Sequence, residues 1–316
     1  MTISAASKNA HKTPSAALRR FAWALLAYFV AVILWGTLVR ATGAGAGCGN
    51  HWPLCNGTVL QHSASVNTLI EFTHRITSGL SLVAVLGLLL WTFRSTRRGD
   101  MARGAAVAAV ALTVMEAILG ALLVALGLTA QSQSPLRPLF LALHLTNTLL
   151  LLAALTVTAH LLCRRTGYRW ESIRMVNPLA AVAGIFVVLA VGVTGSLAAL
   201  GDTLFPATSL AGALHHDFST TNGWLVRWRW IHPMAAVAAG VFLIWVLMRA
   251  AAQNGQRGLS ALVLALLTTV YLLGVLDVTL LAPVWAQVAH LLAADSLWAA
   301  LVVLTARLTL VPVEAE

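Results

Sequence analysis

Residues Phe21–Arg40 read FAWALLAYFVAVILWGTLVR, an unbroken apolar run whose one charge is its last residue. As a helix rising 1.5 Å per residue, it is about 30 Å long, the thickness of a bilayer's hydrocarbon core. The same pattern recurs at Glu71–Phe93, Gly104–Leu128, Leu139–Cys163, Asn177–Leu200, Arg229–Arg249, Leu259–Leu281 and Ala286–Ala306. Read against the polar breaks, these runs predict eight helices. Composition points the same way, with 59% of the 316 residues hydrophobic and 9% charged. Soluble domains carry nearer 25% charge, which excludes a water-soluble globule of this size. The expected fold is an all-α integral membrane protein.

The formal net charge is +10. The basic residues are not gathered on one face or interleaved with aromatics, which excludes a nucleic-acid partner. They mark alternate connections: the tail 1–20 with Lys8, Lys12, Arg19 and Arg20, then Arg94–Arg103, Arg164–Arg174 and Arg249–Arg257. The opposite segments 41–70, 129–138, 201–228 and 282–285 hold only Arg137 and Arg227 between the spans. The positive-inside rule places both termini in the cytoplasm of a multi-pass cell-membrane protein. Met1–Arg20 shows no short apolar core with a small-residue cleavage site, so the first helix is read as retained.

The first and third external segments are long and the second and fourth short, which suggests a duplicated four-helix unit. Val39-Arg40-Ala41-Thr42-Gly43 at the end of the first span parallels Val191-Gly192-Val193-Thr194-Gly195 late in the fifth. Small residues follow each, then Trp52-Pro53 or Phe205-Pro206. The expected organisation is two tandem four-helix bundles, residues 21–163 and 177–306, related by an axis along the membrane normal.

Ten histidines occur. His11, His51, His62, His215 and His216 fall in the tail or the outer loops, and His160 at the inner end of the fourth span. His74, His144, His232 and His290 stand near the outer start of the second, fourth, sixth and eighth spans. Each lies roughly four to six residues inside its predicted helix, or about 6–9 Å. A single intramembrane histidine is often only a helix contact, but one matched pair in each half is harder to explain so. Haem iron takes one imidazole on each face, and helical bundles build such sites from facing side chains. Zinc would need further ligands, and a proton relay is the remaining reading.

The two sites are not equivalent. Glu71 precedes His74 by three residues and shares its helix face, whereas Arg229 holds that place before His232. Arg75 is a partner for the Glu71 carboxylate or for a propionate, and Glu71 itself suits a dipole-favoured first turn or the chemistry. Asn147 is placed to support His144, while Glu116, Asp277 and Asp295 are charges inside spans that need neutralising or pairing. Cys48 and Cys55 lie in the first outer loop, where a disulfide is permitted, as staple or redox pair; a metal site through His51 is less specific. Cys163 is expected to remain a thiol.

These residues carry a resemblance to the haem A synthase family over nearly the whole chain. Val39-Arg40-Ala41-Thr42-Gly43-Ala44-Gly45, the outer cysteines, Glu71-Phe72-Thr73-His74-Arg75 and the three later histidines bear it. The resemblance implies oxidation of the C8 methyl group of haem O to the formyl group of haem A, for terminal oxidase assembly. It implies substrate at His74 and His144, a haem b cofactor at His232 and His290, Glu71 as the functional carboxylate, and a Cys48–Cys55 disulfide. Expected partners are an electron donor and haem O synthase, and an oligomer is compatible with the pattern. The third outer segment lacks the second cysteine pair of some members, and Glu116 and Tyr271 stand where glutamine is expected. A bis-histidine membrane cytochrome b that only passes electrons accounts for the ligands but not for the Glu71/Arg229 asymmetry. A duplicated transporter with relay histidines predicts no bound haem.

Overall fold

The computed structural model describes residues 14–58, 64–164, 178–219, 223–252 and 255–310. Lys8, His11, Lys12, His62 and most of the basic segment 164–174 lie outside the described residues. The helices are α1 (Ala16–Ala41), α2 (Val66–Ser95), α3 (Met101–Ala125), α4 (Leu136–Leu162) and α5 (Pro178–Leu204). They continue as α6 (Leu210–Phe218), α7 (Trp224–Arg227), α8 (Ile231–Ala251), α9 (Arg257–Thr279) and α10 (Val284–Thr309). Eight spans are long and apolar enough to cross a membrane, with α7 and α8 forming the single span Trp224–Ala251. The chain is an all-α, multi-pass membrane protein.

Several ends differ from the sequence expectation, for a consistent reason. Hydropathy marks where a helix enters lipid, whereas capping marks where it begins. The Ser15, Ser65 and Asp100 side chains accept from the backbone N–H of Leu18, Thr68 and Ala102, satisfying donors that a helix start leaves free. α2 therefore starts at Val66, five residues before Glu71. The third outer segment, expected as a loop over 201–228, contains the end of α5 and the short helices α6 and α7. Ser209 caps α6 by accepting from Gly212 N–H.

The duplicated motif is also in a different register. Thr42 caps α1 and Gly43 turns the chain at φ 70°, whereas Thr194 and Gly195 lie inside α5. Gly195 corresponds instead to Gly36, because both pack against a histidine ring. A β-carbon on Gly36 would lie 3.0 Å from His74 Cε1, and one on Gly195 2.9 Å from His232 Cε1.

Helices α1 to α4 pack in a closed ring, each against the next and α4 against α1. Helices α5, α8, α9 and α10 close a second ring in the same cyclic order, and the rings meet where α1 and α4 contact α10 and α4 contacts α5. Trp298, fully buried, anchors this seam by donating its indole N–H to the Leu149 carbonyl at 2.7 Å. Dense packing lies toward the ends far from the four histidines. Leu18, Leu25, Val85, Leu88, Leu152 and Leu155 fill one ring, and Leu243, Leu247, Val263, Leu301 and Leu304 the other. The histidine-bearing ends are where the apolar cores stop.

Candidate functional site

Counted from the first residue of each span, His74, His144 and His232 lie about eight residues in and His290 about six, or roughly 9–12 Å. For α2 and α4 this is about one turn deeper than hydropathy indicates, because those helices begin earlier. In contrast, α8 begins only at Ile231, so His232 is its second residue and owes its depth to α7, which opens the span. All four rings are half-buried. In the first ring of helices, His74 stands on α2 and His144 on α4. In the second ring, His232 and His290 have centroids 6.4 Å apart and planes at 88°.

Each ring is held from behind. The Thr194 hydroxyl lies 3.2 Å from His232 Nδ1. A β-carbon on Gly274 would lie 3.1 Å from His290 Cε1, so glycine lets α9 approach as Gly36 and Gly195 do elsewhere. Glu116 on α3 stands 3.4 Å from His144 Nδ1, and its carboxylate accepts from the Asn147 amide and the Thr148 hydroxyl, both at 2.5 Å. Asn147 was expected to support His144; its amide instead serves Glu116 and the Leu112 carbonyl. The carboxylate beside the imidazole comes from another helix, which sequence spacing within α4 does not reveal. Among the described residues, the Nδ1 atoms of His74, His144 and His290 are buried without a hydrogen-bond partner. Tyr271 spans from α9 to α8, donating to the Ala236 carbonyl one turn beyond His232.

Above the first pair, the outer loop is tied to α2. Cys48 and Cys55 form a disulfide, and Cys163 is a free thiol. Glu71 is 3% exposed; one oxygen accepts from Cys48 N–H at 2.8 Å and the other pairs with Arg75. Arg75 also donates to the His51 and Leu54 carbonyls. Its partner is thus the carboxylate of Glu71 together with the loop backbone. Thr68 donates to the Gly47 carbonyl, and a β-carbon on Gly47 would meet the Asn67–Thr68 backbone at 2.6 Å, so loop and helix touch directly.

Above the second pair, Arg229 takes the place of Glu71 and does the corresponding work with opposite charge. It donates to Asp217 on α6 at 2.8 Å, to Asp202 at 3.1 Å and to the Phe205 carbonyl at 3.2 Å. The charge reversal is legible in the sequence but this consequence is not, because the acidic partners are 12 and 27 residues away. Among the described residues, no three His, Cys, Asp or Glu side chains gather as a bare metal ion would require. This disfavours zinc through either histidine pair, and through Cys48, His51 and Cys55.

Fold and site together define a polytopic helical membrane protein with four histidines near one side of its spans, of which the His232 and His290 rings face each other. Residues 19–302 match the family described as cytochrome oxidase assembly protein, and the chain belongs to that family. It is 30% identical over 239 residues to "Heme A synthase" of Bacillus licheniformis, covering 72% of this chain and 71% of that protein. It is 37% identical over 126 residues to "Heme A synthase" of Alkalihalophilus pseudofirmus, 40% of each. It is also 41% identical over 291 residues to "Protoheme IX farnesyltransferase" of Thermus thermophilus, covering 91% of this chain and 48% of that protein. The chain therefore spans about half the length of the Thermus relatives.

Proposed function

We propose that this chain oxidises the C8 methyl group of haem O to the formyl group of haem A. In this reading His74 and His144 hold the substrate haem, and His232 and His290 hold a resident haem b. The observation that carries it is the 6.4 Å separation of the His232 and His290 rings. Two metal–imidazole bonds of about 2 Å, plus about 1 Å from each nitrogen to its ring centre, need centroids roughly 6 Å apart. The glycines behind three of the rings and the Thr194 hydroxyl beside His232 suit the orientation of axial ligands. Relatives named for haem A synthesis support the same reading.

A methyl group is a poor acid, so the bound cofactor would supply the redox chemistry while the protein binds, orients and controls protons. Glu71 is the residue proposed to hold or move a proton at the substrate, one helical turn from His74. The outer loop that it shares with Arg75 would cover the substrate site from water. Glu116 would orient His144. The basic connections support an orientation with both termini in the cytoplasm and the disulfide outside. The name of the Thermus relatives suggests a haem farnesyltransferase as the neighbouring enzyme, supplying the substrate within the membrane. Conversion of methyl to formyl removes four electrons and adds oxygen, so an external oxidant of the dioxygen class is required, with an electron donor where the oxygen enters by hydroxylation.

The test is the optical spectrum of the purified protein, followed by acid extraction of its haems. Haem b together with haem O or A is expected, and His232→Ala or His290→Ala should deplete haem b selectively. Haem b alone would favour the electron-passing cytochrome. No haem, or normal haem b with an unchanged low-spin spectrum in both variants, would remove the assignment.

A further inference from the structure

We propose that Arg40, with Arg137 beside it, binds a carboxylate of the porphyrin held at His232 and His290, so that the N-terminal ring of helices completes the C-terminal site. The inference rests on the haem reading above. Arg40 belongs to α1, yet its guanidinium lies between α5 and α10. Nη1 donates to the Ala199 carbonyl at 2.8 Å and to the Thr203 hydroxyl at 2.7 Å, and Nη2 to Gln287 Oε1 at 2.7 Å. Ala199 is one turn beyond Gly195, which backs His232, and Gln287 is one turn before His290. Both displacements run toward the same end of the spans. Arg40 thus sits about one turn, roughly 5 Å, beyond the imidazole pair and on the two helices that carry or back it.

The charges there are incompletely used. Among the described residues, the hydrogen bonds of Arg40 go to neutral oxygens. Asp202 and Asp277 act on it electrostatically, but Asp202 is hydrogen-bonded to Arg229. Arg137, in the first turn of α4, is 3% exposed and close enough to Arg40 to repel it. Its Nη1 donates to the Ser132 carbonyl at 2.9 Å, but its Nε is buried with no acceptor. Asp277 offsets part of this charge, but among the described residues no carboxylate is hydrogen-bonded to Arg40 or Arg137. Two guanidiniums in an apolar interior are costly unless a further anion lies with them. The planar fork of arginine suits a carboxylate, and a porphyrin bears two at one edge. Arg75 and Arg229 are less available, since the outer loops engage them.

The test uses full-length protein purified from haem-deficient cells and titrated with haem b or its dimethyl ester, read by the Soret band. The esters delete the carboxylates without altering the protein, so misfolding of a variant cannot obscure the result. We expect wild type to prefer the free acid by about tenfold or more. Arg40→Gln should lose most of that preference, Arg40→Lys should retain part of it, and Arg137→Gln should weaken it. The preference should vanish in His290→Ala and persist in His74→Ala, which assigns it to the C-terminal pair. Equal affinities in wild type, a preference surviving Arg40→Gln combined with Arg137→Gln, or one surviving His290→Ala would overturn the proposal. Failure of wild type to bind either compound would instead remove the histidine-pair reading beneath it.

Discussion

Glu71 and Arg229 occupy matching places, three residues before a histidine, and each fastens the outer segment above its own site. The carboxylate grips a backbone N–H and Arg75, whereas the guanidinium grips Asp217 and Asp202. Anchoring alone therefore does not require a carboxylate at this place, and the charge difference is available for a difference in chemistry. Glu71→Gln keeps an oxygen to accept from Cys48 N–H but removes the charge and the proton. The variant should fold, retain haem b at His232 and His290, and accumulate haem O. Haem A formation should fall by about 10²–10⁴-fold, the usual contribution of a positioned acid or base. Arg75→Gln is the control. It leaves a buried carboxylate without its cation, costing about 3–5 kcal/mol of stability, while preserving the group proposed to act. Haem extraction from both variants separates the cases. An equal loss of haem A in both, or normal haem A in Glu71→Gln, would reduce Glu71 to a loop anchor.

Across elements, what recurs is a glycine on one helix facing an imidazole on the next: Gly36 with His74, Gly195 with His232, and Gly274 with His290. In the fourth case the neighbouring helix presents Glu116. A β-carbon at Gly195 would stand 2.9 Å from the ring, closer than side-chain carbons ordinarily approach, so the ring must turn. Gly195→Ala should therefore lower haem b content and perturb its low-spin spectrum, although alanine is the better helix former by about 1 kcal/mol. Gly87, with nothing within 4 Å of its added β-carbon, is the control. Gly87→Ala should leave haem content unchanged and raise thermal stability slightly. Similar haem content in Gly195→Ala and Gly87→Ala would show that the close approach is packing without consequence for the ligand.

At the scale of the whole molecule, two rings of helices share one direction through the membrane, and their histidine-bearing ends lie on the same side as the disulfide loop. Impermeant maleimide applied to intact cells tests that arrangement. Cys48 and Cys55 should resist labelling until an impermeant reductant is added, then label from outside. Cys163 should label only after permeabilisation, whatever the redox state. Labelling of Cys163 from outside would reverse the orientation, and rapid labelling of Cys48 and Cys55 in untreated cells would remove the disulfide.

Eight spans and their membrane setting were readable directly, because burial in lipid leaves continuous apolar runs, and the four histidines stand out within them as candidate ligands. The ends of those helices were less legible, since Ser15, Ser65 and Asp100 start the backbone before hydropathy begins to rise. The register of the duplication also needed coordinates: Thr42-Gly43 and Thr194-Gly195 are alike as letters, yet one pair ends a helix and the other lies within one. Interactions between distant segments were decided only by tertiary packing. Nothing local to Glu116 points at His144, nor does anything near Arg40 point at Gln287, 247 residues away. Periodicity constrains which face of a helix is apolar, but a side chain's partner depends on which helix packs against that face and at what height. Composition and spacing therefore determined the class of molecule and the histidines proposed to hold a cofactor, while the packing of the two rings decided which charges surround them.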